Sequence, residues 1–301
     1  MFNNQTKYSI VDCYNCGSSI KKHKKVSVIK HSLSVNVIIC RSCGMVFINP
    51  RWNDQMYSEL YSSAYHKIGM DDEISIKNII NRKKIDNNIP KRLNKHITRE
   101  IDYILDIGSG MGWNVDLVGK EFNCDHLACI EPQDICAKNI KNTIGADLIA
   151  RDIGSDWHKE FKKSFDIIIM RHVLEHLLDP ITTLEKIKYV LKDNGRLYIS
   201  VPDMFNPINP LNGYFFRAVH LYYFCQETLL STIHKAGLKP VEFKSDRNEL
   251  WGVFENGTFN YEPTSVYKAQ LKIIRKTKTN HIVNRIKNRL KQQSIFQLIL
   301  L

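Results

Sequence analysis

Three groups of residues in this chain have the types and spacing that chemistry needs. Cys13-x-x-Cys16 and Cys40-x-x-Cys43 are two thiol pairs separated by 23 residues. Each pair can bring two thiolates to one ion from a tight turn, and two such turns complete a tetrahedral sulfur shell. The second group is Asp106-Ile-Gly108-Ser-Gly110-Met-Gly112, which follows the apolar Ile104-Leu105. A strand running into such a turn brings backbone N–H groups and a helix N-terminus close to a ligand. The dinucleotide fingerprint needs a glycine at position 113, where Trp113 stands. An acid at position 106 suits a ligand bearing an ammonium better than one bearing a pyrophosphate. The third group is His172-Val-Leu-Glu175-His176. Spacings of i, i+3 and i+4 would put its polar side chains on one helical face. That face suits a general base or a metal, and it would equally suit a helix cap or a loop anchor.

For the four cysteines a structural zinc is the expectation. A disulfide pair is disfavoured in a reducing cytosol, and a redox CxxC needs no second copy. Cys124, Cys129, Cys136 and Cys225 stand in apolar or helical contexts and read as inert core residues.

The elements that position these groups follow from periodicity. Lys24–Ile29 and Ser34–Ile39 read as short strands of a zinc ribbon over 8–50, with Phe47-Ile-Asn-Pro50-Arg-Trp as its exit turn. Residues 51–98 form a helical connector, with Tyr57, Leu60, Tyr61 and Tyr65 at helical spacing and Pro90 breaking it. From 99 to 260 strands and helices alternate, which predicts a parallel sheet covered on both faces. Strands are expected at 102–107, 126–131, 147–150, 165–170, 196–201, near 238–244 and at 250–259. Helices should follow Gly112, start near Arg171, and cover 180–191 and 226–236. Residues 261–301 form a basic helical tail. Glu131 falls at the tip of the second strand, where a carboxylate can take both hydroxyls of a ribose.

Composition limits the class. Apolar residues make up 43% and charged residues 25% of the 301, as in a soluble globular protein. The first residues lead into no apolar leader segment, and no apolar run approaches the roughly 20 residues that cross a bilayer. A cytoplasmic protein is expected. Of the net +12, nine charges come from Lys/Arg after Glu262, a stretch without acids, so 12 less 9 leaves the body at +3. A nearly neutral body argues against broad contact with nucleic acid.

These residues together resemble the class I S-adenosylmethionine (SAM)-dependent methyltransferases of the type 11/23-like group. The matching segments are Leu105–Gly112, Glu131, Phe165-Asp-Ile-Ile-Ile-Met-Arg-His-Val-Leu-Glu-His-Leu-Leu-Asp-Pro180, Asn194–Pro202 and His220-Leu-Tyr-Tyr-Phe-Cys-Gln-Glu-Thr-Leu229. More narrowly the chain resembles the subgroup whose N-terminal CxxC…CxxCG ribbon runs into a Phe-x-Asn-Pro turn. The resemblance implies an α/β, doubly wound, seven-stranded Rossmann-like sheet with a small zinc ribbon and a helical C-terminal tail. It implies that Asp106, Gly108, Gly110 and Gly112 hold the methionine moiety of SAM. Glu131 would take the ribose, Asp152 and Ile153 would flank adenine, and Arg171 would join the cofactor set. It implies His172, Glu175, His176 and His220 as the catalytic group, and Cys13, Cys16, Cys40 and Cys43 as zinc ligands. Related Glu-x-x-Glu-His patterns with a later His carry a divalent metal in small-RNA 2′-O-methyltransferases and ubiquinone-pathway O-methyltransferases. Here His172 replaces the first Glu, so a second divalent metal at these side chains stands beside the base reading.

Subgroup members acting on surface glycans, sugars and secondary metabolites imply O-methylation of a sugar, nucleotide sugar, glycan or related small metabolite, with His-assisted deprotonation. Met170-Arg-His is not the Asn/Asp-Pro-Pro-aromatic run of amine-directed base methylases. The competing readings are an RNA methyltransferase that grips RNA through ribbon and tail, and a non-catalytic SAM-binding scaffold. The aromatic-rich stretch 203–225 reads as a lid over the crevice or as a hydrophobic plug. The tail could pack on the body, bind RNA phosphates, or lie on an anionic membrane at the inner face.

Overall fold

The computed structural model describes residues 8–30, 34–59 and 88–299. The N-terminal part holds β1 (Tyr8–Ser9), β2 (His23–Lys30), β3 (Ser34–Cys40), β4 (Val46–Ile48), β5 (Arg51–Trp52) and α1 (Asp54–Glu59). Helix α2 (Ile89–Asn94) opens an alternating series: β6 (Ile104–Ile107), α3 (Trp113–Phe122), β7 (Leu127–Ile130), α4 (Asp134–Asn139) and β8 (Asp147–Ala150). It continues with β9 (Phe165–Arg171), α5 (Pro180–Val190), β10 (Leu191–Pro202), β11 (Tyr222–Tyr223), α6 (Gln226–Lys235), β12 (Leu238–Asp246) and β13 (Glu249–Asn256). Helix α7 (Tyr267–Ile299) follows.

Seven strands form one sheet in the order β12-β13-β10-β9-β6-β7-β8, with β13 antiparallel to both neighbours. The central β9 is buried from Phe165 to Met170, as its run of apolar residues requires once helices cover both faces. Its one acid, Asp166, is fully buried and satisfied. It accepts hydrogen bonds from the N–H groups of Asp102 and Tyr103 and pairs with Lys192 and Arg99. The chain leaves β6 toward β7 and β8, then crosses back to place β9 on the other side of β6. This reversal opens a crevice beyond the carboxyl ends of β6 and β9, where doubly wound sheets bind ligands.

A second, four-stranded sheet has the order β11-β4-β3-β2. Its β11 comes from the expected lid, pairing Tyr222 with Phe47 and Tyr223 with Val46. Phe215, Phe216, Tyr222, Tyr223 and Phe224 are all buried. From Phe215 to Phe224 the stretch is therefore a plug that joins ribbon to sheet, which corrects the lid reading there, while Ile208 and Tyr214 stay exposed. So many aromatic faces bury more area against the ribbon than a mobile loop could leave in water.

Two further expectations change. Pro90 sits in the first turn of α2 instead of breaking a helix, because its missing N–H falls among groups left unbonded there. No α-helix starts near Arg171. His172 takes a left-handed backbone (φ 52°) and only a 3-10 turn, Leu174–His176, follows. Helix α5 begins at Pro180 under an Asp179 cap, whose carboxylate accepts from the Thr182 N–H at 3.1 Å. Leu60, Tyr61 and Tyr65 lie outside the described residues.

Helix α7 starts on the ribbon. The Val266 N–H donates to the Cys43 carbonyl (3.1 Å), Gln270 and Ile274 are buried, and Lys278 Nζ reaches the Val26 carbonyl at 2.6 Å. Beyond that, Ile282, Val283 and Ile286 are exposed. No described helix is long and apolar enough to cross a membrane.

Candidate active site and cysteine cluster

Asp106 is buried in β6, next to last in the strand. Gly108, Gly110 and Gly112 all have positive φ (67°, 54° and 79°), a region that a Cβ disfavours. They differ in what surrounds them. A Cβ on Gly108 would stand 2.4 Å from Val173 Cγ2, and one on Gly112 3.0 Å from Ile144 Cγ1. A Cβ on Gly110 meets nothing within 4 Å, so its face looks into open space. Glu131, just past β7, is buried, and its Oε2 accepts from the Gly110 N–H at 2.8 Å. Its Oε1 accepts from the Gln133 N–H at 2.9 Å. Burial outweighs these bonds and pushes the Glu131 carboxyl up to about 7. The donor set fits SAM: an acid at the strand end, an open glycine face, and a buried carboxylate beside it.

Asp152 and Ile153 lie just beyond β8 at the same end of the sheet. Asp152 is exposed and accepts from the Gly154 N–H at 2.7 Å, while Ile153 is half-buried against the core. Arg171 ends β9 with its Nε 3.8 Å from Glu249 Oε1. That contact draws it toward β13, on the side of β9 away from the glycine turn.

The expected catalytic group does assemble, though not on one helix. His172 Nδ1 lies 3.4 Å from Glu175 Oε1, and His176 Nε2 lies 3.8 Å from the same oxygen. The His176 and His220 rings meet edge to face with centroids 4.7 Å apart. Glu175, His176 and His220 are buried and offer donor atoms within 4.8 Å of one another. Neither Glu175 oxygen nor His220 Nδ1 has a hydrogen bond. The contact between Val173 and Gly108 seats this turn directly on the glycine turn.

Charge divides the histidines. Burial works against the His172 imidazolium, but the Glu175 and Glu249 carboxylates beside it overcome this and raise the group to about 9. Burial lowers His176, and it lowers His220 well below the ordinary imidazole range, helped by His176, Arg217 and His172. At neutral pH His172 is charged and the other two are neutral. Glu249, at the start of β13, was not foreseen. Only an acid opening an apolar strand marks it, and strand order alone brings it to His172.

The four cysteine sulfurs converge between the ribbon turns. Sγ of Cys13 and Cys43 lie 3.5 Å apart, and those of Cys16 and Cys40 3.6 Å. All four are free thiols. Sulfurs bound at about 2.3 Å around one tetrahedral ion would stand about 3.8 Å apart. Gly17 and Gly44 turn the chain with φ of 69° and 91°, and the Met45 N–H points at Cys43 Sγ (3.4 Å). The cluster fits a four-thiolate zinc site.

Comparison with known proteins agrees with this geometry. The family described as "Methyltransferase domain" matches residues 79–242, more than half of the chain. No curated protein matches it. One similar solved structure is the Burkholderia thailandensis 1,6-didemethyltoxoflavin-N1-methyltransferase with its substrate and S-adenosylhomocysteine bound. It is 17% identical with a TM-score of 0.52, covering 71% of this chain and 96% of that one. Another is a chain of the Haloferax volcanii complex between the Trm112 methyltransferase activator and a methyltransferase. It is 15% identical with a TM-score of 0.50, covering 63% of this chain and 96% of the other. With the seven-stranded order, the glycine turn and the four-cysteine cluster in place, the chain belongs to the methyltransferase-domain family as a class I SAM-dependent methyltransferase.

Proposed function

We propose that the enzyme O-methylates a sugar, nucleotide sugar, surface glycan or related small metabolite, with a neutral histidine taking the hydroxyl proton. The observation that carries this reading is the buried His176–His220 pair beside Glu175, held against the glycine turn through Val173. Bound SAM supplies a methyl group already activated on its sulfonium. The protein's own task is to align the acceptor, exclude water and accept one proton. Glu131 would hold the ribose, Asp106 and residues 108–112 the methionine moiety, and Asp152 and Ile153 the adenine. Arg171, placed toward β13, is better suited to the acceptor side than to the cofactor.

His220 has the stronger claim to be the base, since its Nδ1 is buried, neutral and without a hydrogen bond. His172, charged between two carboxylates, is the weaker candidate. A second divalent metal would use Glu175, His176 and His220. Their donor atoms lie within 4.8 Å of one another, so a metal stands as the second reading of the same cluster.

Structural zinc at Cys13, Cys16, Cys40 and Cys43 completes the proposal. Most of the net positive charge falls after Glu262, where nine Lys/Arg stand without an acid; the nearly neutral remainder favours a small acceptor over RNA, and the basic tail fits peripheral contact with the anionic inner membrane face from the cytoplasm. A screen of nucleotide sugars and glycan fragments with labelled SAM tests the acceptor class. Label transfer that His220→Ala lowers by about 10²-fold or more, with SAM affinity intact, is the expected result. Transfer only to RNA would overturn it.

A further inference from the structure

Glu249 lies two strands from β9, yet its carboxylate reaches into the catalytic turn. Glu249 Oε1 stands 3.1 Å from His172 Nε2, and the other imidazole nitrogen, Nδ1, lies 3.4 Å from Glu175 Oε1. A single ring thus bridges two acids, one from β13 and one from the turn after β9. Two carboxylates at ion-pair distance from both nitrogens favour the doubly protonated, cationic ring. His172 holds a left-handed backbone (φ 52°), which a non-glycine residue adopts only when its surroundings compensate. The residue after it, Val173, is the one seated on Gly108.

Resting on the methyl-transfer reading above, we propose that Glu249 is a positioning residue for that reaction. It fixes His172, and through His172 it fixes Glu175 and the turn that carries His176. Glu175 is 1% exposed with no hydrogen bond to either oxygen, so the His172 cation is its nearest compensation. Burial is the main cause that lowers His176 and His220, and the His172 cation adds a smaller push in the same direction behind Arg217. The charged groups facing His172 are Arg171 on its own strand, Glu175 in the turn and Glu249 on β13. Arg92 of α2 backs Glu249 at 3.7 Å. Burial would raise the Glu249 carboxyl, but His172 and then Arg171 hold it down at about 2.

The test is NMR titration of histidine-labelled protein, with a His172→Gln sample to identify the resonance. In the wild type, the His172 ring should stay protonated beyond pH 8. In Glu249→Gln, which keeps size and removes charge, its midpoint should fall by a pH unit or more, a tenfold change in the protonation equilibrium. Calorimetric SAM affinity, measured on the same samples, should stay within about threefold. A wild-type midpoint at or below the ordinary imidazole value would overturn the inference even if the variant failed to fold. A midpoint unmoved in folded Glu249→Gln would overturn it too, leaving the methyl-transfer reading standing. Absence of SAM binding by the wild type would instead strike that reading and, with it, the reaction that Glu249 is said to serve.

Discussion

In the proposed cofactor role Glu131 carries two burdens, because its carboxylate is buried and yet would have to be ionised to accept both ribose hydroxyls. Its group is raised to about 7, so folded protein takes up the proton more readily than unfolded chain. The stability contribution is therefore full below the ordinary carboxyl range and is lost as pH rises through about 7. Cofactor binding should run the opposite way. SAM affinity should weaken by up to about tenfold per unit as pH falls below 7, and Glu131→Gln should bind weakly with little pH dependence. Calorimetry at pH 6, 7 and 8 checks both. His220→Ala should lower turnover about 10²–10⁴-fold, the range expected when a general base is removed. The wild-type acid limb should lie below the ordinary imidazole range, because a depressed base stays available until the pH drops further. An acid limb at the usual imidazole value would sink the assignment. The residues that gather beside the glycine turn were legible in sequence as a candidate catalytic group, but the division of charge among them was not. It depends on Glu249, 77 positions after His172.

At the scale of elements, the glycine turn separates packing from binding. Gly108→Ala places a Cβ against Val173 at positive φ, so it should destabilise the fold by about 1–3 kcal/mol and displace the His172–His176 turn. Gly110→Ala meets no neighbour, so only the backbone penalty of about 1 kcal/mol applies, while the new methyl intrudes where SAM is expected. Thermal melts with and without SAM should show Gly110→Ala folded but poorly stabilised by ligand. Strands β6–β9 were legible because apolar runs and the turn chemistry agree, and the doubly wound seven-stranded class came with the family resemblance, while the strand order came from the structure. The turn after β9 was not legible. Its polar residues fit helical spacing, but the His172 backbone leaves the helix region, so their convergence is tertiary. The plug at 215–224 misled for a related reason: aromatic content says that faces will be buried, not against what.

In the whole molecule, the ribbon and the segment after β9 share one seam. Arg51 Nη1 donates to the Leu178 carbonyl and to the Tyr222 hydroxyl, both at 2.7 Å, and Tyr222 also packs on Tyr14 and Phe47. Phe47→Ala should cost about 3–5 kcal/mol, as large aromatic truncations in cores do, and should loosen His220 along with β11. Metal analysis should find about one zinc per chain. Chelation, or Cys13→Ser with Cys40→Ser, should lower the melting temperature and open α7 to protease, because Val266 is hydrogen-bonded to Cys43. A zinc-free protein with an unchanged melt would contradict the ribbon's structural role. The most direct test of the central claim is calorimetric titration of SAM into the folded, zinc-loaded chain and its Glu131→Gln variant at pH 8. One site per chain, weakened at least tenfold in the variant, is the predicted result. No binding by the wild type, or equal binding by the two, would contradict the account.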